Sequence, residues 1–291
     1  MVLLIIAMVV LYTLQSLLTK KYVDHYPGSE NMASSVFTIV SGGVVVVVSL
    51  CFMLFRFDAS FWTVILGVIN AAVIVAYNFF IVKTAQTGPY TVLMVFSIAG
   101  GIILPTIQAG MFFGQTISWL KWVAVGIVLV AVFLMSYRKS GSAAWRAVFI
   151  PACFGLAVAN GAYGMILNTQ QEMTGVSEKE ELVAITYLIA ATASLGIFLV
   201  KEKGSFSGFK QTKRSLIYLL SCSIVVALAI NVLTLLIHLM EDLTALYTFD
   251  NAGTLLLSVI CSVVFFRERP TVLNWIGCAV MCGALVMISL V

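Results

Sequence analysis

The feature that most constrains this chain is a succession of long apolar segments with almost no charge inside them. Hydrophobic residues make up 62% of the 291 positions and charged residues only 10%, whereas about a quarter of the residues in soluble domains are charged. A helix of about 20 apolar residues crosses the hydrocarbon core of a bilayer, which is about 30 Å thick. Segments of this size recur ten times, at 2–19, 34–55, 62–83, 90–113, 117–137, 146–168, 182–200, 215–238, 243–266 and 271–290.

The apolar runs are continuous rather than alternating, and this predicts helices rather than the strands of a barrel. The predicted fold class is an all-α polytopic membrane protein with ten transmembrane helices. No polar connection exceeds about fifteen residues, which leaves no room for a soluble catalytic or nucleotide-binding domain. The first segment lacks both a basic stretch before it and a small-residue cleavage site after it, so we expect an uncleaved helix.

The basic residues indicate the orientation of the helices. Thirteen of the 16 lysines and arginines follow odd-numbered helices, and only Arg56, Lys121 and Lys179 follow even-numbered ones. Because lysine and arginine are retained on the cytoplasmic side, we expect the odd-numbered connections inside and both termini outside. The basic excess therefore reflects topology in a cell membrane and does not predict nucleic-acid binding.

The chain also contains an internal repeat. With an offset of 153 residues, Asn78 falls on Asn231, Trp122 on Trp275, and the pair 99–100 on the pair 252–253. This similarity predicts two five-helix repeats, at 1–137 and 146–291. Since each repeat has an odd number of spans, the second is inverted relative to the first, as in secondary transporters, whose substrate sites lie between the halves.

Polar side chains that recur at helical spacing mark helix contacts or a wet cavity, because isolated polar groups are costly in lipid. Such stripes predict a cavity surrounded by helices one to four and six to nine, with helices five and ten outside. Helix contact and substrate contact remain alternatives for each stripe. The candidates are Tyr12, Gln15, Ser34, Thr38, Ser41, Tyr77, Asn78, Ser97, Gln108, Asn160, Tyr163, Asn231, Thr234, His238, Tyr247, Asp250, Asn251, Thr254 and Ser258.

Asp250 is the foremost candidate, since it lies inside the ninth span, where a carboxylate costs about 2.5–3.5 kcal/mol. Two interpretations remain: a proton-coupling site or counter-charge for an amine, and a hydrogen-bonded acid that ties two helices together. His238, near the end of the eighth span, is interpreted first as an interfacial residue and second as a titrating group. Pro105 predicts a kink in the fourth helix, with Gly100, Gly101 and Gly253 as further hinge candidates.

The segments "AGG" (99–101) and "NAG" (251–253), together with "FFRERPTVLNWIG" (265–277), resemble the drug/metabolite transporter superfamily, EamA type. The resemblance extends over the whole chain. It implies alternating-access transport of amino acids, sugars, nucleotide-related metabolites or drugs, often driven by protons or by exchange. It also implies both termini inside the cell, contrary to the charge distribution, and leaves a homodimer open.

We therefore expect a secondary transporter of small polar metabolites in the lipid bilayer, driven by protons or by exchange, with no metal or cofactor. A flippase for a lipid-linked intermediate on the same fold is the main alternative. An intramembrane enzyme is less favoured, because Asp250 is the only carboxylate deep in a span and neither histidine is central. A channel is also less favoured, because no ring of repeated filter residues is present.

Overall fold

The structure is a computed structural model that describes residues 2–54, 56–114, 118–136, 143–174, 178–203, 207–239 and 243–289. The described part consists of helices and their connections, so the predicted all-α fold is confirmed. The helices are α1 (Val2–His25), α2 (Glu30–Phe52), α3 (Phe61–Thr87), α4 (Tyr90–Met111), α5 (Trp119–Ser136), α6 (Ala143–Thr174), α7 (Lys179–Lys201), α8 (Lys213–Leu239), α9 (Leu243–Phe266) and α10 (Val272–Ser289).

The helices have the length and composition of membrane spans. Among the described residues, nine helices are long and apolar enough to cross a bilayer, and α10 is apolar over the shorter stretch Val272–Ile288. A helix satisfies its own backbone hydrogen bonds, which lipid cannot do. The chain is therefore a multi-pass membrane protein.

The helices pair mainly across the two halves of the chain. α1 packs on α8 and α9, α6 packs on α3 and α4, and α2 packs along α7. α5 and α10 pack on each other at the edge of the bundle. If each helix in these pairs is replaced by the helix five places away in the chain, the same set of pairs results: α1–α8 becomes α6–α3, and α1–α9 becomes α6–α4. The repeats at 1–137 and 146–291 stay a prediction, which this exchange supports.

The bundle has two distinct ends. Because short connections join consecutive helices, the helices cross in alternating directions. The odd-numbered helices finish at what we call the basic end, which holds residues 26–29, 88–89 and 267–271. The opposite end, which we call the open end, holds residues 56–60 and 112–114. Hydrogen bonds join the connections within each end. At the basic end, the Tyr26 hydroxyl donates to the Gly208 carbonyl at 2.6 Å. At the open end, the Ser60 N–H donates to Glu178 Oε2 at 2.9 Å.

Helix α10 is held to α5 by one buried amide. Asn274 Nδ2 donates to the carbonyl of Met135 at 2.7 Å, and its Oδ1 accepts the backbone N–H of Thr271 at 2.8 Å. The Oδ1 contact fixes the connection that enters α10, and the Nδ2 contact satisfies a carbonyl in the last turn of α5. The α5–α10 pair therefore packs as one unit against α4 and α9.

Candidate functional site

A cavity of about 480 Å³ lies inside the bundle, and we call it the central cavity. Phe113, Lys121 and Glu172 line its mouth at the open end, while Ser16 and Ile81 line it closer to the basic end. Most of its walls come from α1, α3, α4, α6 and α9. A concave site with few polar groups among apolar walls is the usual form of a small-molecule site.

The polar stripe of α9 faces this cavity. Tyr247, Asp250, Asn251 and Thr254 all line it, because residues three and four apart share one helix face. The Thr254 hydroxyl donates to Asp250 Oδ1 at 3.3 Å. This is the one hydrogen bond of the Asp250 side chain among the described residues. The carboxylate is therefore placed to meet a solute or a proton that enters the cavity.

Several tyrosine rings share the central cavity with Asp250. Tyr12, Tyr77, Tyr163 and Tyr247 line the cavity, and Tyr187 lies behind them, 7% exposed. Tyr12 lies within electrostatic range of Asp250 and of Tyr163, Tyr187 and Tyr247. Tyrosine combines a flat apolar ring with a hydroxyl, and its face attracts cations. The cavity thus presents the Asp250 carboxylate beside several aromatic rings.

Amide and hydroxyl groups complete the polar lining. Asn160 Nδ2 donates to the backbone carbonyl of Ser97 at 2.7 Å, and the Ser97 side chain lies near the Tyr77 hydroxyl. Gln15 Oε1 is buried and has no hydrogen-bond partner among the described residues. An unsatisfied buried acceptor is costly. Gln15 is therefore a natural acceptor for a donor group of a bound solute.

Three further candidates lie away from the lining of the central cavity, since none of them is among the described residues that line it. Gln108 Nε2 donates to the Met165 carbonyl at 3.1 Å and to Thr169 Oγ1 at 2.8 Å, so it joins α4 to α6. Asn231 Nδ2 donates to the Ala227 carbonyl of its own helix at 2.8 Å. Asn78 is 5% exposed, and its Nδ2 has no hydrogen-bond partner among the described residues. The side chain of His238 lies outside the described part.

The predicted ring of eight helices needs a correction. No described residue of α2 or α7 lines the central cavity, whereas Lys121 of α5 and Leu285 and Ile288 of α10 do. The hydroxyls of Thr38 and Ser41 donate to carbonyls of α2 itself, at 2.8 and 2.6 Å. A hydroxyl that bonds the preceding turn is already satisfied and packs well against a neighbouring helix. The α2 stripe is therefore a packing face.

The hinge candidates lie where helices approach most closely. A Cβ on Gly100 would overlap the Ala157 backbone, and a Cβ on Gly161 would lie 2.5 Å from the Gly100 carbonyl oxygen. Pro105 interrupts the hydrogen bonding of α4 but lies within the continuous helix Tyr90–Met111. A Cβ on Gly101 would lie 2.8 Å from Asn160 Nδ2, and a Cβ on Gly253 would lie 2.9 Å from Val9 of α1, so a neighbouring side chain would have to shift in each case.

Polar contacts close the bundle between the central cavity and the basic end. The Tyr90 hydroxyl lies 2.5 Å from Ser16 Oγ and donates to Ser258 Oγ at 3.4 Å, which joins α4, α1 and α9. Tyr90 and Ser16 are both buried. Lys20 Nζ donates to the Ala85 carbonyl at 2.7 Å, near the end of α3. The cavity is therefore open at one end and sealed at the other.

Glu268 adds a second closing contact. Its carboxylate accepts the backbone N–H of Tyr90 at 2.6 Å and the Thr91 hydroxyl at 2.8 Å. Sequence reasoning did not assign roles to Tyr90 or Glu268, or to Gly161. One signal was available: α4 follows Pro89, which cannot cap a helix with its side chain, so an acceptor from elsewhere was needed.

The described residues contain no group of three or more histidine, cysteine, aspartate or glutamate side chains that could hold a metal ion. The polar groups of the central cavity are several hydroxyls, five amides, the carboxylate of Asp250, and Lys121 and Glu172 at the mouth. Such a set can bind a small polar or cationic solute and can accept or release a proton. It lacks an obvious nucleophile–base pair of the kind that hydrolases use.

Comparison with known proteins gives the fold alone. No family model matches the chain, and no curated protein matches it. A solved structure, described only as the crystal structure of a protein, superposes with a TM-score of 0.63 at 14% sequence identity. The match covers 98% of this chain and 94% of the other. The chain is therefore similar over its whole length to a protein whose architecture is known from a crystal.

Proposed function

We propose that the protein is a secondary active transporter that moves small polar metabolites by alternating access. The observation that carries the proposal is the central cavity, which is open at one end and sealed at the other by the contacts of Tyr90 and Glu268. A solute site between two inverted halves, reached from one side at a time, is the working principle of such transporters. The resemblance to the drug/metabolite transporter superfamily agrees with this proposal.

The proposed substrates are amines or amino acids with an aromatic or cationic group. Asp250 offers a counter-charge, and the rings of Tyr12, Tyr163 and Tyr247 offer faces for stacking or for cation–π contact, worth about 0.5–2 kcal/mol each. Gln15 and Asn160 offer amide groups for the polar part of the solute. Protons are the proposed coupling ion, because Asp250 is the carboxylate at the centre of this lining.

The orientation belongs to the same proposal. Since lysine and arginine remain in the cytoplasm, the basic end faces inward, and the central cavity opens to the outside of the cell membrane. Single cysteines at Gly28→Cys and Ala59→Cys, in a variant without the six native cysteines, test this with a membrane-impermeant maleimide on whole cells. Labelling of position 59 alone supports the orientation, and labelling of position 28 alone reverses it.

Proton movement in vesicles tests the transport function. Purified protein is reconstituted with an internal pH dye, and amino acids, amines, sugars and nucleosides are added in turn. We expect one of the first two classes to drive proton movement in the wild type and not in Asp250→Asn. Asp24→Asn is the matched control, since Asp24 is a partly exposed carboxylate at the end of α1.

Two outcomes contradict the proposal. If Asp250→Asn transports and couples like the wild type, Asp250 only joins helices, and the proton-coupling assignment is wrong. If neither the pH signal nor radiolabel uptake detects transport of any solute in the panel, the chain does not transport these metabolites down their own gradients. The flippase alternative then becomes the leading one.

A further inference from the structure

A second cavity, of about 380 Å³, lies near the open end, and we call it the outer cavity. It is bounded by the last turn of α2, the first turn of α7 and the second half of α8. No described residue lines both cavities. On α8, Leu233 lines the central cavity, whereas Thr234 and Leu235 line the outer one. The two cavities are therefore separate sites on opposite sides of α8.

A buried carboxylate lines the outer cavity. Glu181 is 8% exposed, and its Oε2 has no hydrogen-bond partner among the described residues. The backbone of Asp58 lies beside its carboxylate. An ionised carboxylate that is removed from water needs a partner. Glu181 thus has one oxygen available to a ligand.

Neutral acceptors lie on the α8 wall. Asn231 is 4% exposed, and one N–H of its Nδ2 donates to the Ala227 carbonyl, which leaves its Oδ1 able to accept a hydrogen bond. The Thr234 hydroxyl donates to the carbonyl of Asn231 at 2.9 Å, so its oxygen can still accept. A carboxylate with two further acceptors is the set that an ammonium group, with three donors, satisfies.

A basic residue and several apolar residues line the same cavity. Arg56 lines it from the connection that follows α2, and it forms no salt bridge with Glu181 in the described part of the chain. A guanidinium binds carboxylates through two parallel hydrogen bonds. Phe52, Met53 and Leu235 supply the apolar lining. Glu180 also lies here, next to Lys179, which offsets its charge.

We propose that the outer cavity binds a zwitterionic amino acid, with its ammonium group at Glu181 and its carboxylate at Arg56. The volume of about 380 Å³ far exceeds the ~30 Å³ that one water occupies, so the cavity suits an organic molecule rather than a bare ion. The apolar lining suits an aliphatic side chain. This binding site is additional to the central cavity and does not depend on the transport function.

Equilibrium binding to the purified full-length protein tests the site with three probes of one shape. L-Leucine carries both charges, leucine amide only the positive one, and 4-methylpentanoate only the negative one. We expect leucine to bind, and Glu181→Gln, which removes a buried charge, to weaken it by at least about 30-fold. Arg56→Gln, which removes an exposed charge, should weaken it by about three- to fivefold. 4-Methylpentanoate, which lacks the ammonium group, should bind more weakly by about the first factor, and leucine amide, which lacks the carboxylate, by about the second.

Further variants separate this site from the central cavity and from loss of fold. Asp250→Asn should leave the Glu181-dependent leucine binding unchanged, even if transport fails. Thr234→Phe should abolish the binding by filling the cavity while every charge stays in place. Glutamine has nearly the size of glutamate and keeps an acceptor oxygen, so Glu181→Gln should elute as a single species of wild-type size.

The proposal is overturned by any of three results. Leucine binding that is equal in the wild type, Glu181→Gln and Thr234→Phe would place the ligand elsewhere. Leucine amide that binds as tightly as leucine would remove the role of Arg56 and the zwitterion. The absence of saturable leucine binding to the folded wild-type protein would remove the site.

Discussion

The carboxylate of Glu268 lies against the first turn of α4, where it accepts the backbone N–H of Tyr90 at 2.6 Å. The first N–H groups of a helix have no partner within the helix, and Pro89 at the cap position of α4 supplies no side-chain acceptor. A negative charge at this position is also favoured by the helix dipole. The connection between α9 and α10 is thereby attached to α4, and opening of the basic end must break this attachment.

We predict that Glu268→Ala increases the population of molecules that are open at the basic end. Hydrogen bonds to a charged group contribute about 1.5–3 kcal/mol, which corresponds to a change of about tenfold or more in that population. The measurement is the rate at which a thiol reagent, added from the basic end, alkylates Ser97→Cys. The protein is held in vesicles, and its native cysteines are replaced.

Glu268→Gln is the matched control for this prediction. It keeps one acceptor oxygen for the Tyr90 N–H but loses the charge, so its labelling rate should lie between those of the wild type and the alanine variant. Equal labelling rates for all three proteins would show that Glu268 does not hold the basic end closed.

We predict that Gly100→Ala destabilises the protein, because the added Cβ would overlap the backbone of Ala157 at the crossing of α4 and α6. Overpacking costs about 1–3 kcal/mol, which lowers Tm by about 3–10 °C. Thermal unfolding in detergent measures this. Gly126→Ala is the control, since a Cβ there meets no atom within 4 Å, and its Tm should stay equal or rise slightly. Equal Tm values for the two variants would contradict the close crossing.

Sequence reasoning predicted the spans well because a membrane helix depends on local composition. It also identified the α9 face that holds Asp250, since one helical period describes that stripe. The same rule failed to separate Asn160 from Gln108: both are amides in apolar helices, but Asn160 lines the cavity and Gln108 joins α4 to α6. Which face points inward depends on the rotation of each helix, and this is fixed by its neighbours.

Long-range contacts could not be predicted from the sequence, for a related reason. Glu268 and Tyr90 are 178 positions apart, and nothing in either local sequence identifies the other. The uncapped start of α4 indicates only that some acceptor is needed. The backbone contact of Gly100 with Gly161 is similar, because glycine indicates close approach without naming the partner.

We predict a small loss of stability in acid that depends on Glu178. The Thr63 hydroxyl and the Ser60 N–H donate to its carboxylate and hold the pKa of Glu178 below its ordinary value of 4.5. A carboxylate whose pKa is lower in the folded state stabilises that state above its unfolded pKa, and this contribution disappears as the pH falls through the folded pKa. The stabilisation should therefore be complete above about pH 5 and decline below 4.5.

Melting curves measured from neutral pH down through this acidic range compare the wild type with Glu178→Gln. The effect should be small, because water screens surface charges. We expect the glutamine variant to melt slightly below the wild type at neutral pH and together with it at the acidic limit. A constant difference across the range would mean that the contact with α3 does not depend on the charge of Glu178.

The last prediction concerns the aromatic wall of the central cavity. Tyr163 lines the cavity and lies within electrostatic range of Tyr77 and Tyr247. Tyr163→Leu removes the ring, whereas Tyr163→Phe removes only the hydroxyl. If the substrate stacks on the ring or places a cation over it, the leucine variant should raise the KM of transport by about 5–30-fold, as expected for about 1–2 kcal/mol. The phenylalanine variant should stay within about threefold of the wild type. The reverse order would indicate recognition through the hydroxyl, and the substrate would then be a hydrogen-bonding solute without an aromatic or cationic group.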